Sequence, residues 1–96
     1  MESAKTIDLY EAIEQMKRIS IAGGTFSMKF RKYDRSRATG GDLATEPAAR
    51  LRPKARDEKV ENASYKLFYT DTTTGRAKNC WQPLIVEFNG MKTVLQ

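Results

Sequence analysis

Apolar side chains recur at spacings of three and four near the start of the chain: Leu9, Ala12, Ile13, Met16 and Ile19, with Glu11, Glu14, Gln15, Lys17 and Arg18 falling largely between them. One apolar stripe on a charged surface is what a helix of 3.6 residues per turn offers a core. The spacing therefore predicts an amphipathic helix over about residues 7–18. Asp8 with Glu11 three residues later reads as a capping box, with Thr6 as a competing cap. Acidic residues early and Lys17 and Arg18 late suit the helix dipole. Gly23 and Gly24 close the region.

From Thr25 the period falls to two. Phe26, Met28 and Phe30 alternate with Ser27, Lys29 and Arg31, the pattern of a strand with one buried face, expected over about residues 25–33. Residues 34–62 hold few large apolar side chains but contain Gly40-Gly41, Pro47 and Pro53, and read as a long basic loop or arm, with an edge strand possible within Leu43 to Leu51. Order returns over about residues 64–95. The run Tyr65 to Tyr69 has strand composition, Asp71-Thr72-Thr73-Thr74-Gly75 reads as a turn, and another strand leaves from Arg76. Asn89-Gly90, between Leu84–Phe88 and Met91–Leu95, supplies the two positive-φ residues of a type I′ turn, which sets Phe88 opposite Met91 and Glu87 opposite Lys92. The expected fold is a single α+β domain spanning residues 1–96, with an N-terminal amphipathic helix packed on a small, mostly antiparallel sheet or partial barrel, a long basic loop and a C-terminal hairpin.

Composition narrows the chemistry. At 96 residues most apolar side chains are needed simply to close one core, which leaves little volume for a deep, water-excluding site. The chain has no His, so the commonest general base, zinc ligand and partner of a nucleophile is missing. Its single Cys80 forms no intramolecular disulfide and reads as a small, half-buried apolar side chain beside Trp81. The residues from Met1 to Lys5 lack the apolar core of a signal peptide, and no apolar run spans a bilayer. These features predict no catalytic residue, no metal, no cofactor and no membrane association. The expected setting is a reducing compartment, without secretion.

Two glycine pairs and one acidic turn test that expectation. Ala22-Gly23-Gly24-Thr25 follows a helix and precedes a strand, the reverse of a phosphate-binding loop, and Gly40-Gly41-Asp42 lacks the Lys-Ser/Thr pair such loops carry. Asp71 with its threonines lacks the alternating carboxylates of a calcium loop.

The charge is uneven. Of a net +5, residues 1–28 carry three basic and four acidic side chains, residues 29–59 ten and five, and residues 60–96 four and three. The candidate contact residues are accordingly Lys29, Arg31, Lys32, Arg35, Arg37, Arg50, Arg52, Lys54 and Arg56. Cations spaced by two along an extended chain share a face and can meet successive phosphates, with Tyr33 or Trp81 stacking on bases. The same run reads equally as a solvated charge cluster, or as an arm that docks on an acidic protein surface.

The stretch Leu84-Ile85-Val86-Glu87-Phe88-Asn89-Gly90, together with Thr39-Gly40-Gly41 and Ala49-Arg50-Leu51 upstream, resembles a group of small uncharacterised proteins from phages and integrated elements of Bacteroides-type bacteria. The resemblance covers about half of the chain through short motifs. It brings no catalytic or binding residue; it implies a setting, a phage particle or its assembly. On this reading the chain is a non-catalytic structural or assembly protein, a virion or assembly component acting through protein–protein contacts with its basic arm. The alternative is a small basic nucleic-acid-binding module.

Overall fold

The computed structural model describes residues 5–34, 39–54 and 63–95. They form one helix packed on a seven-stranded, mostly antiparallel sheet that does not close. In chain order the elements are β1 (Thr6–Asp8), α1 (Leu9–Ile21), β2 (Phe26–Asp34), β3 (Thr39–Leu51), β4 (Lys66–Asp71), β5 (Arg76–Trp81), β6 (Ile85–Phe88) and β7 (Met91–Val94). Short 3-10 turns precede β4 and β6. Across the sheet the order is β1-β7-β6-β2-β3-β4-β5, so β1 and β5 are its two ends.

The helix starts two residues later than its apolar spacing predicts and runs on to Ile21. Asp8 is its cap, the carboxylate accepting from the backbone N–H of Tyr10 and Glu11 at 3.1 and 3.2 Å. Just before the cap the chain is extended, because Thr6–Asp8 pair in parallel with Lys92, Thr93 and Val94 of β7. At the other end Gly23 N–H bonds Ser20 C=O and Gly24 N–H bonds Ile19 C=O, which is the Schellman arrangement. It needs a left-handed residue after the cap, and Gly23 takes φ 85°.

The helix buries Leu9, Ala12, Ile13 and Met16, and Phe26, Met28 and Phe30 of β2 join the same core. Phe26 and Phe88 lie with ring centroids 5.9 Å apart, and Phe30 meets Tyr69 edge-on at 6.3 Å. Glu87 pairs with Lys92 and Phe88 with Met91 across β6 and β7. Between them Asn89 and Gly90 have φ 47° and 82°. Asn89 also exchanges hydrogen bonds with Ser27, its N–H donating to Ser27 C=O and its side-chain oxygen accepting from Ser27 N–H, both at 2.9 Å.

The largest correction concerns the polar middle of the chain. Thr39–Leu51, expected as mostly loop, is a 13-residue strand. Over Ala49–Leu51 it lies between β2 and β4 rather than at an edge. Two bulges reconcile its sequence with a ladder. Phe26 and Met28 face Ala49 and Glu46, so β3 carries an extra residue there, and Pro47 sits in the bulge, where its missing N–H costs no ladder bond. Arg31 and Tyr33 face Leu43 and Gly40, which marks a second extra residue beside Gly41. A Cβ on Gly41 would stand 2.6 Å from the Lys32 carbonyl oxygen, so only glycine allows the two strands to approach this closely. Residues 35–38 and 55–62, the rest of the expected loop, lie outside the described residues.

Candidate interaction surface

The geometry that matters begins where strands lose their neighbours. β6 pairs with β2 only from Met28 to Phe30, and β4 pairs with β3 only from Ala49 to Leu51. Beyond those limits, among the described residues, Arg31–Asp34 and Thr39–Glu46 form a two-stranded ribbon with no further strand on either side. Leu43, on this ribbon, is half exposed.

The inner faces of the ribbon and of the β4–β5 hairpin enclose an open cleft of about 640 Å³, lined by Phe30, Lys32, Glu46, Tyr69, Lys78 and Asn79 among others. Its lining reaches a cluster of charges that includes Glu46 and Asp71, the two buried carboxylates among the described residues. Glu46 accepts from Lys78 Nζ at 2.9 Å and from the Tyr69 hydroxyl at 3.2 Å, and Lys78 Nζ also reaches Asp71 at 3.3 Å. Asp71 accepts in addition from the Thr73 hydroxyl and backbone N–H at 2.6 and 3.0 Å. That hydroxyl bond is the main reason its carboxyl is held at about 2; burial opposes the shift, while Thr73 N–H and Lys78 add to it. The hydrogen bond that Lys78 donates to Glu46 leads the causes that raise Lys78 above its ordinary value, and burial raises the Tyr69 phenol. The arrangement keeps Lys78 charged and Tyr69 protonated. The cluster ties β3, β4 and β5 together, and among the described residues no buried side-chain polar atom lacks a hydrogen-bond partner. Cys80, beside it, is buried, and burial pushes its thiol up to about 12.

Next to the cleft, where β5 passes β2, a smaller pocket of about 190 Å³ is lined by Phe30, Arg31, Lys32, Lys66, Asn79 and Trp81, with Cys80 behind. Lys66 Nζ lies 4.7 Å from the centre of the half-buried Trp81 ring. This seam gathers Arg31, Lys32 and Trp81 from the candidates of the sequence and adds Lys66 and Asn79, which the sequence did not single out.

The other candidates go elsewhere. Lys29 pairs with Glu87 at 3.8 Å across β2 and β6. Arg50 donates to the carbonyls of Gly24 and Gly23 at 3.1 and 2.8 Å, clamping the exit of α1. Arg52 donates to the carbonyls of Tyr69, Pro53 and Lys78 and lies 5.5 Å from the Phe68 ring centre, so it is a brace across β4 and β5. Lys54 is exposed at the end of a described stretch. Tyr33 is placed by its backbone, opposite Gly40. Arg35, Arg37 and Arg56 lie outside the described residues. The described cations therefore do not share one face, and two of them are structural.

Among the described residues no helix is long and apolar enough to cross a membrane, and no three His, Cys, Asp or Glu side chains converge as metal ligands do. Comparison of the chain with models of protein families found no match, and comparison with curated proteins and with solved structures found none either.

Proposed function

We propose that the chain is a non-catalytic assembly protein of the phage type, which contacts neighbouring subunits through the edges of its open sheet. One observation carries the reading: the ribbon of β2 and β3 continues past the strands that flank it, leaving the Gly41–Glu46 edge without a strand partner among the described residues. An unpaired edge is a template for pairing with another chain, and monomeric proteins blunt it with inward charges or cover. Here Leu43 is an exposed large apolar side chain on that edge, between exposed Asp42 and Thr45. Sedimentation velocity over about 1–200 μM tests the reading, the range in which modest edge contacts associate. Mass is expected to rise with concentration and to revert to monomer in Leu43→Lys and Thr45→Lys, which set charges on the edge. A monomer at every concentration would count against the reading.

The second reading, a nucleic-acid-binding module, draws on the meeting of Arg31, Lys32 and Lys66 at the seam. It predicts oligonucleotide binding that weakens steeply with salt. The spending of Arg50 and Arg52 on backbone carbonyls leaves it with fewer phosphate contacts than the sequence promised.

A further inference from the structure

We infer that the outer edge of β5 is the docking site for a short, extended, acidic segment of a partner polypeptide, which adds to the sheet as a strand with its carboxylates against Arg31, Lys32 and Lys66. The inference rests on the assembly reading and names a partner for it.

The backbone pattern supplies the first argument. Arg52 N–H bonds Phe68 C=O and Thr72 N–H bonds Ala48 C=O, so Phe68 and Thr70 direct their peptide groups towards β3. Alternation then directs those of Tyr69 and Asp71 towards β5, where Lys78 and Arg76 face them. On β5 the residues between, Ala77 and Asn79, point N–H and C=O away from β4. β5 ends the sheet, so among the described residues no strand takes up these groups. They are the donors and acceptors that strand addition uses.

The second argument is charge. The seam beside Asn79 is lined by Arg31, Lys32 and Lys66, and Arg31 and Lys32 are exposed. Glu46, which lines the neighbouring cleft, and Asp71 are buried and already bound to Lys78, and exposed Asp42 lies on β3 beside these cations. An incoming strand therefore meets cations on the surface, while the anions below are neutralised. Nucleic acid would use the same cations but has no need of the open peptide groups, and a second copy of β5 would bring Arg76 and Lys78 against a basic surface. Open peptide groups beside surface cations fit an acidic peptide.

The test is fluorescence anisotropy of the full chain with a fluorescein-labelled peptide of alternating Glu and Val, beside its Gln-Val counterpart and an oligo-dT of similar length. Measurements at about 50 and 300 mM salt span the range over which exposed charge pairs are screened. Expected are a Kd of about 10–100 μM for the Glu-Val peptide, weakening with salt, and at least tenfold loss in Lys32→Glu and Lys66→Gln. The Ala77 and Asn79 amides should gain hydrogen-exchange protection in the complex. Absence of Glu-Val binding overturns the inference. So does binding without protection of those two amides, or tighter binding of oligo-dT lost in the same variants. Concentration-dependent association that persists while the Glu-Val peptide fails to bind removes the β5 site alone and leaves the assembly reading in place.

Discussion

Arg50 and Arg31 are the same residue type in one basic segment, yet the fold gives them opposite work. Arg50 ties the two glycines that end α1 to β3, whereas Arg31 points into solvent at the seam. Arg50→Ala should cost about 1 kcal/mol in urea unfolding, the usual net value of an exposed charge-assisted pair of bonds. Arg31→Ala should stay within about 0.5 kcal/mol. A larger cost for Arg31 than for Arg50 would reverse the assignment. At Asp71 the prediction concerns pH. Its folded carboxyl titrates at about 2 against an ordinary 3.8, so its contribution to stability is complete above the ordinary value and is lost as pH falls from about 4 towards 2. Thermal melts across that window should lose part of their pH dependence in Asp71→Asn. None of this was legible in the sequence, because an Arg that meets phosphate and an Arg that meets a carbonyl are spelled alike. Glu46 and Lys78 were missed for a related reason. They are brought within 2.9 Å by a bulge and a hairpin, and no short spacing announces that.

At the scale of elements, legibility followed the strength of the local signal. The stripe of α1 and the alternation of β2 each bury one face, and that requirement is written into the apolar spacing. β3 hides because it breaks the rules by which strands are recognised. It carries Pro47, two glycines and few apolar residues, and it is stabilised by β2 across two bulges. β1 hides because three residues are too few to show a period. Gly41 is where the argument about β3 becomes measurable. Gly41→Ala would force a Cβ to within 2.6 Å of Lys32 C=O, and a backbone atom yields less readily than a side chain. It should destabilise by about 1–3 kcal/mol, the range for overpacking, and should shift the amide resonances of Arg31 and Lys32. A neutral substitution would mean that the strands are not held so close.

For the molecule as a whole, the sheet order sets two segments that are far apart along the chain side by side. β1 lies against β7, with Thr6 opposite Lys92 and Asp8 opposite Val94. In the order given by the sheet, β1 has no other neighbour. During synthesis Thr6–Asp8 and α1 leave the ribosome well before Met91–Val94, the strand that receives β1. Asp8, which caps α1, also belongs to β1, so the strand that carries the cap cannot dock until β7 has been made. The parallel pair is thus a contact that this fold completes late.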